Sequence, residues 1–286
     1  MPAPFNQQNA TALGFVLLSG TGFVGARLGL AHAEPLTFLA WRFALAGLIL
    51  LMLAIALRAR WPSGWRACAD ITLAGLLSIG CFSAGVFYSL RLGLAPAISA
   101  MIIALQLLGE RITPRHWLGL LLGLLGVFLI LQQSMQVEGV GPAAILGAVL
   151  GLCGMAAGNL YQKARCPDFH PFSGGAIQCA TCAVACAGGA FCFESGQVEW
   201  TSTFVIAWLW MALVVSVGAV SLLILLIRDG NVSRVGGLFY LVPVSAALAA
   251  WQLFGQHPSP LQFLGMLIAG GGVALTQGLP KSGHQG

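Results

Sequence analysis

The chain's chemistry-bearing side chains are few, and most sit outside its apolar runs. The eight acidic residues are Glu34, Asp70, Glu110, Glu138, Asp168, Glu194, Glu199 and Asp229, and all fall in polar links or at the ends of apolar stretches. The five histidines (His32, His116, His170, His257 and His284) do the same. A proton-driven membrane pump usually carries an ionisable group in mid-membrane. Its absence here points to a facilitator, an exchanger, or coupling through a peripheral group. Arg42 is the one cation clearly within an apolar run, five residues past its start, while Arg27 and Arg234 lie near the ends of theirs. A guanidinium there is either a clamp for a carboxylate or phosphate, or a snorkelling or structural arginine held by Glu34 or helix-end carbonyls. Cys179, Cys182 and Cys186 are spaced i, i+3, i+7 and share one helix face. Such a face could hold a soft metal, but no His, Asp or Glu lies among them. The reading adopted is helix packing by small apolar residues, with no metal and no cofactor. No nucleophile–base pair or metal cluster stands within the spans, so the chain is not read as an enzyme.

These residues must be positioned by helices in lipid. Of 286 residues, 58% are hydrophobic and 7% charged, against roughly 25% charged in soluble domains. That excludes a soluble enzyme and a disordered chain, and no basic run suggests a nucleic-acid partner. One span needs ~20 apolar residues, so the length fits about ten. The apolar runs are 12–30, 37–57, 70–90, 93–108, 117–132, 141–162, 172–193, 203–227, 233–254 and 261–277. The N-terminal segment has no charge before a long apolar run, unlike a cleavable signal, so the first run is expected to stay. With the N-terminus inside, the inner links and tail hold ten of the 13 Lys and Arg residues, as the positive-inside rule requires. Both termini are then cytoplasmic, and the number of crossings is even. Trp61, Trp65, Trp117 and Trp200 fall at membrane interfaces, where amphipathic rings are favoured.

The chain also repeats itself. At an offset of 146, LLGERITPRHWLGLLLGLLGVFLIL aligns with LFGQHPSPLQFLGMLIAGGGVALTQ, pairing Leu107 with Leu253, Gly109 with Gly255, Pro114 with Pro260 and Gly126 with Gly272. The unit holds five spans. An odd number forces the second copy in upside down, the arrangement of inverted-repeat secondary transporters. The expected fold is therefore an all-α integral membrane protein of ten helices in two inverted five-helix repeats. Residues 1–132 form the first, 141–277 the second, and 278–286 a cytoplasmic tail. The fourth span is ten residues shorter than its counterpart, 233–254, because Pro243–Gln252 has no match in the first half. Fourteen residues reach only ~21 Å across a ~30 Å hydrocarbon core. A non-transporting or decayed paralogue is thus a second reading.

With GTGFVGARLGL, LTFLAWRFALAGLILL, LLGERITPRHWLGLLLGLLGV and SRVGGLFYLVP, the chain resembles the EamA-like branch of the drug/metabolite transporter superfamily over almost its whole length. The resemblance implies two five-helix repeats around a central cavity, and export of small metabolites such as amino acids from a bacterial inner membrane by alternating access. It implies that helices 1, 3, 4, 6, 8 and 9 line the cavity. The substrate-cavity candidates are Tyr88, Gln106, Asn159 and Tyr240, with Arg42 and Thr21. Pro243 is the candidate gate hinge, since a proline frees a carbonyl inside a helix. Gly147/Gly151 and Gly154/Gly158 are read as close-packing sites. The expected partners are a small-molecule solute and the lipid bilayer, with a homodimer left open.

Overall fold

The computed structural model describes residues 5–92, 122, 125–126, 129, 142–166, 170–219, 221–222, 241–254 and 259–277. The fourth span, Gln106, Tyr240, Trp117, Gly119, Gly123 and the tail lie outside the described residues. Eight helices are described, α1 Phe5–Leu30, α2 Pro35–Ala56, α3 Trp65–Arg91, α4 Pro142–Arg165, α5 Pro171–Phe193, α6 from Ser202 to Ala219, α7 Val242–Phe254 and α8 Pro260–Gln277. Among the described residues the extended pairing is one isolated bridge, Ala33 to Val198. The apolar runs 12–30, 37–57, 70–90, 141–162, 172–193 and 261–277 each fall on a helix.

Two helices change pitch in their interiors. α3 is π-helical over Leu76–Cys81, and α6 over Trp210–Ala219. A π-turn widens the backbone and releases carbonyls from the usual ladder.

Packing follows small residues. α2 lies along α5, where a Cβ on Gly47 would stand 3.3 Å from Cys179. α3 runs antiparallel to α4. Gly147 faces Ser89, Gly154 faces Cys81 and Gly158 faces Ser78, so a side chain at Gly158 would strike the Ser78 backbone. These glycines pack helices closely, as their spacing predicted. α1 packs on α6 and α7, α2 also on α6, and α3 also on α5. The core joins α2, α3, α5 and α6, with Phe38, Leu39, Phe43, Cys179, Cys182, Cys186 and Phe204 buried. The three cysteines are free thiols in helix contacts. Cys182 Sγ reaches the Gly75 carbonyl at 3.5 Å. Among the described residues no group of His, Cys, Asp or Glu could hold a metal.

Pro243 differs from expectation. It was read as lying within a helix that begins at 233. In the structure α7 begins at Val242, after a turn residue at 241, so Pro243 occupies the first helical turn. There its missing N–H is an unsatisfied donor that no helix would use.

The ends of the helices sort to two faces. Residues 31–37, Tyr88–Leu92 and 194–202 meet at one face through hydrogen bonds linking α2, α3 and α5. At the other, Ser173 donates to the Arg60 carbonyl at 2.6 Å and Tyr161 to Asp70 at 2.6 Å. Arg58, Arg60, Arg66 and Arg165 belong to this second face.

Candidate functional site

The most polar part of the interior is assembled on the π-turn of α6. Ser89 in the α-helical part of α3 bonds back four residues to Gly85, and Ser78, on the π-turn of α3, also bonds back four, to Ala74. Ser216 instead donates to the Met211 carbonyl five residues back, at 3.0 Å. Its proton is thereby committed, and its lone pair faces α2. Arg42 Nε donates to it at 3.0 Å. On the same segment Trp210 Nε1 donates to Thr21 Oγ1 at 3.2 Å, while Thr21 donates to the Leu18 carbonyl at 2.8 Å. Gly22 and Gly25 of α1 allow this approach. A Cβ at Gly25 would sit 3.0 Å from the Met211 side chain, and one at Gly22 3.1 Å from Val215. The π-turn thus ties Thr21 and Arg42 to one strip of α6.

The direction of Arg42 bears on its snorkelling reading. The exposed stripe of α2 comprises Trp41, Ala44, Leu48, Leu51, Met52 and Ile55. At 3.6 residues per turn, Arg42 lies about 130° from the middle of that stripe. It is half-buried and turned into the bundle, about 10 Å inside the start of α2. A lipid-facing snorkel does not fit. Nor does Glu34 hold it, since that carboxylate is engaged elsewhere. Among the described residues Ser216 is its hydrogen-bond partner, and neither ion pair includes it. The guanidinium also lies 5.3 Å from the Phe43 ring centroid.

At the face that gathers residues 31–37 and 194–202, two carboxylates are exchanged between helix ends. Glu194, just past α5, accepts from the Leu36 amide, the Thr37 amide and the Thr37 hydroxyl, each at 2.8 Å. It therefore caps the N-terminus of α2 from 157 residues away. Glu34, the residue before α2, returns the contact by accepting from the Ser195 amide at 2.6 Å and its hydroxyl at 2.8 Å. Arg91 pairs with Glu34 at 3.2 Å. His32 meets Glu199 at 3.1 Å, and the Glu199 amide donates to the His32 carbonyl at 3.0 Å. The Ser195 bonds, chiefly the hydroxyl, hold the Glu34 carboxyl below its ordinary range, with Arg91 adding to the effect.

Of the sequence-predicted residues, Arg42 and Thr21 meet on α6. Tyr88 lies instead in this carboxylate latch, where its hydroxyl donates to Glu194 at 3.0 Å. Asn159 is on the inner half of α4 and exposed, one residue from the Gly158–Ser78 contact. Gln106 and Tyr240 lie outside the described residues. Sequence reasoning placed Glu194 and Ser195 in a link without a role. The signal available was a carboxylate immediately after an apolar run, which is too common to single out. Trp208 lies on α6. It sits edge-on to Trp41 and Trp200, each at 6.1 Å.

The model of the EamA-like transporter family matches residues 9–132 and again 142–277. Two relatives from Bacillus subtilis (strain 168) are similar. The uncharacterized transporter YvbV is 26% identical over 272 residues, covering 88% of this chain and 85% of its own length. The uncharacterized transporter YyaM is 28% identical over 149 residues, 48% of each chain. A solved crystal structure at 21% identity shares the fold with a TM-score of 0.73, over 94% of this chain and 96% of that one. The chain has apolar helices long enough to cross a bilayer, and it belongs to the EamA-like transporter family, a membrane transporter of the drug/metabolite transporter superfamily.

Proposed function

We propose that the protein exports a small metabolite, amino acids being one class, from a bacterial cytoplasm by alternating access. The path runs between two inverted five-span repeats, 1–132 and 141–277, with both termini and the tail 278–286 cytoplasmic. The observation that carries this reading is the pattern of helix contacts. α1, α2 and α3 are the first three predicted spans, and α4, α5 and α6 the sixth to eighth. Exchanging each helix for its counterpart turns the α1–α6 contact into α4–α3, and the α2–α6 contact into α5–α3. The α2–α5 pair maps onto itself, and its members are antiparallel, as Glu194–Thr37 at one end and Ser173–Arg60 at the other require. The two π-turns fall on the exchanged pair α3 and α6. Gly126 lies against Gly265 and Ala269, so the fifth and tenth spans meet as a self-paired contact. Such agreement is expected of inverted repeats.

α3 ends and α4 begins at the outer face, with Ser89 beside Gly147. An even number of crossings between 93 and 141 fits that geometry, which favours ten spans over the decayed-paralogue reading. The acidic residues Glu34, Asp70, Glu194 and Glu199 stand at the faces, which supports a facilitator or exchanger over a pump with a buried proton carrier. The reciprocal carboxylates close the outer mouth, and opening them exposes the path outward. Pro243, in the first turn of α7, is retained as the hinge proposal.

The test is an untargeted comparison of metabolites released by cells with and without the gene, followed by flux of the identified solute in proteoliposomes. Release that is identical in both cells would remove the export reading. Uphill flux abolished by a protonophore would remove the facilitator reading.

A further inference from the structure

An arginine turned into a membrane bundle should find an anion, because an unpaired charge there costs several kcal/mol. Among the described residues Arg42 finds neutral groups instead. Ser216 takes Nε, the Phe43 ring lies to one side, and the thiols of Cys179 and Cys186 are within electrostatic range. Among the described residues, the carboxylates of this half of the membrane are engaged in the outer latch. Glu34 holds Ser195 and Arg91, Glu194 holds Leu36, Thr37 and Tyr88, and Glu199 pairs with His32.

The π-turn gives this arginine a defined orientation. Because Ser216 spends its proton on the Met211 carbonyl, it meets Arg42 as an acceptor and fixes the Nε side of the guanidinium. The edge formed by the two terminal nitrogens then points onward. Two parallel N–H donors on a planar fork match the two oxygens of a carboxylate. One guanidinium supplies one positive charge, which suits a monoanion. A phosphate ester dianion would call for a second cation.

We propose that Arg42, oriented by Ser216 on the π-turn of α6, is the recognition site for the carboxylate of a monoanionic or zwitterionic substrate. The inference rests on the reading of the interior as a transport path, and it deepens that reading by naming the group recognised. It makes carboxylate-bearing solutes the substrate class. Ser216 is a positioning residue; Arg42 makes the contact.

The experiment uses the full-length protein in lipid nanodiscs. Thermal unfolding is followed by tryptophan fluorescence with matched probes at constant ionic strength. These are the sodium salts of acetate and benzoate and the amino acids L-alanine and L-phenylalanine, each against its primary amide. At least one carboxylate should raise the melting temperature while its amide does not. Arg42→Gln should weaken that carboxylate by about tenfold or more, as loss of a charge-assisted bidentate contact requires. Arg42→Lys should keep the preference for carboxylate over amide with weaker binding, since lysine offers the charge without the fork. Ser216→Ala should lower affinity and leave the preference intact. A carboxylate that binds Arg42→Gln as well as the parent overturns the proposal, as does a panel in which no carboxylate binds the parent. If Arg42→Gln fails to fold, the lysine variant decides. Weaker carboxylate binding by Arg42→Lys, with the preference over the amide kept, supports the contact; an unchanged affinity in Arg42→Lys overturns it. The outcome is separable from transport itself. Carboxylates that bind through Arg42 but are never moved leave this site standing and remove the export reading. Flux of uncharged solutes that is equal in parent and Arg42→Gln, with no carboxylate bound, does the reverse.

Discussion

Removing the Glu194 carboxylate should open the outer mouth. Glu194 satisfies two backbone amides at the N-terminus of α2 and takes hydroxyl protons from Thr37 and Tyr88. Loss of a capping side chain costs about 0.5–2 kcal/mol, and a negative charge at a helix N-terminus contributes about 0.3–1 kcal/mol more. Glu194 is half-buried, so solvent replaces part of what is lost. A net change of about 2 kcal/mol, at about 1.4 kcal/mol per tenfold, moves the open-to-closed ratio by about 30-fold. Cys186 is a native reporter for this opening. It is 5% exposed and lies about 10 Å below the end of α5 at helical rise. In a chain retaining only that cysteine, a membrane-impermeant maleimide added outside should label slowly. Glu194→Ala should accelerate labelling by about 10- to 30-fold if reaction follows the open population. Glu194→Gln should fall between, because an amide can still accept but carries no charge. The same thiol reacts in every variant, so its own reactivity cancels. An unchanged rate in Glu194→Ala would refute the latch, and faster labelling only from the cytoplasmic side would show that the wrong face had been assigned.

Tyr88→Phe removes one of the four bonds to Glu194, so labelling of Cys186 should rise by less than in Glu194→Ala, about 1 kcal/mol in equivalent terms. The Glu34 half of the latch has a defined pH response. Its carboxyl is held below the ordinary value of 4.5, so its contribution is complete above that value and is lost as pH falls through the lower folded-state value. Cys186 accessibility, corrected for thiol ionisation, should therefore be flat from pH 8 to pH 5, by about the reference carboxylate range. Opening between those values would count against the assignment. Gly158→Ala should lower the melting temperature, because the added methyl meets the Ser78 backbone, and overpacking of this kind costs about 1–3 kcal/mol. Gly188→Ala is the control: nothing lies within 4 Å of its Cβ position, so a comparable loss there would deny that packing is the cause.

What the sequence determined by itself was the class of protein and the position of most helices. Each depends on local quantities. An apolar run long enough for a bilayer must be helical, because lipid offers no partners to the backbone. Arginines in links such as 58–66 are costly to carry across. The small-residue faces of α4 and α5 were legible too, since Gly147, Gly151, Gly154 and Gly158, and the cysteines at 179, 182 and 186, repeat at helical spacing and meet α3 and α2. The tertiary structure alone decided the chemistry of the polar groups. Arg42 could be read as snorkelling or as clamped to Glu34 until its direction around α2 and its bond to Ser216 were known. That bond is made on the π-turn of α6, which lies against α1 and α2. Glu194 caps α2 across 157 residues. Its partners are backbone amides, which every residue but proline has, so nothing in the chain's letters marks them in advance.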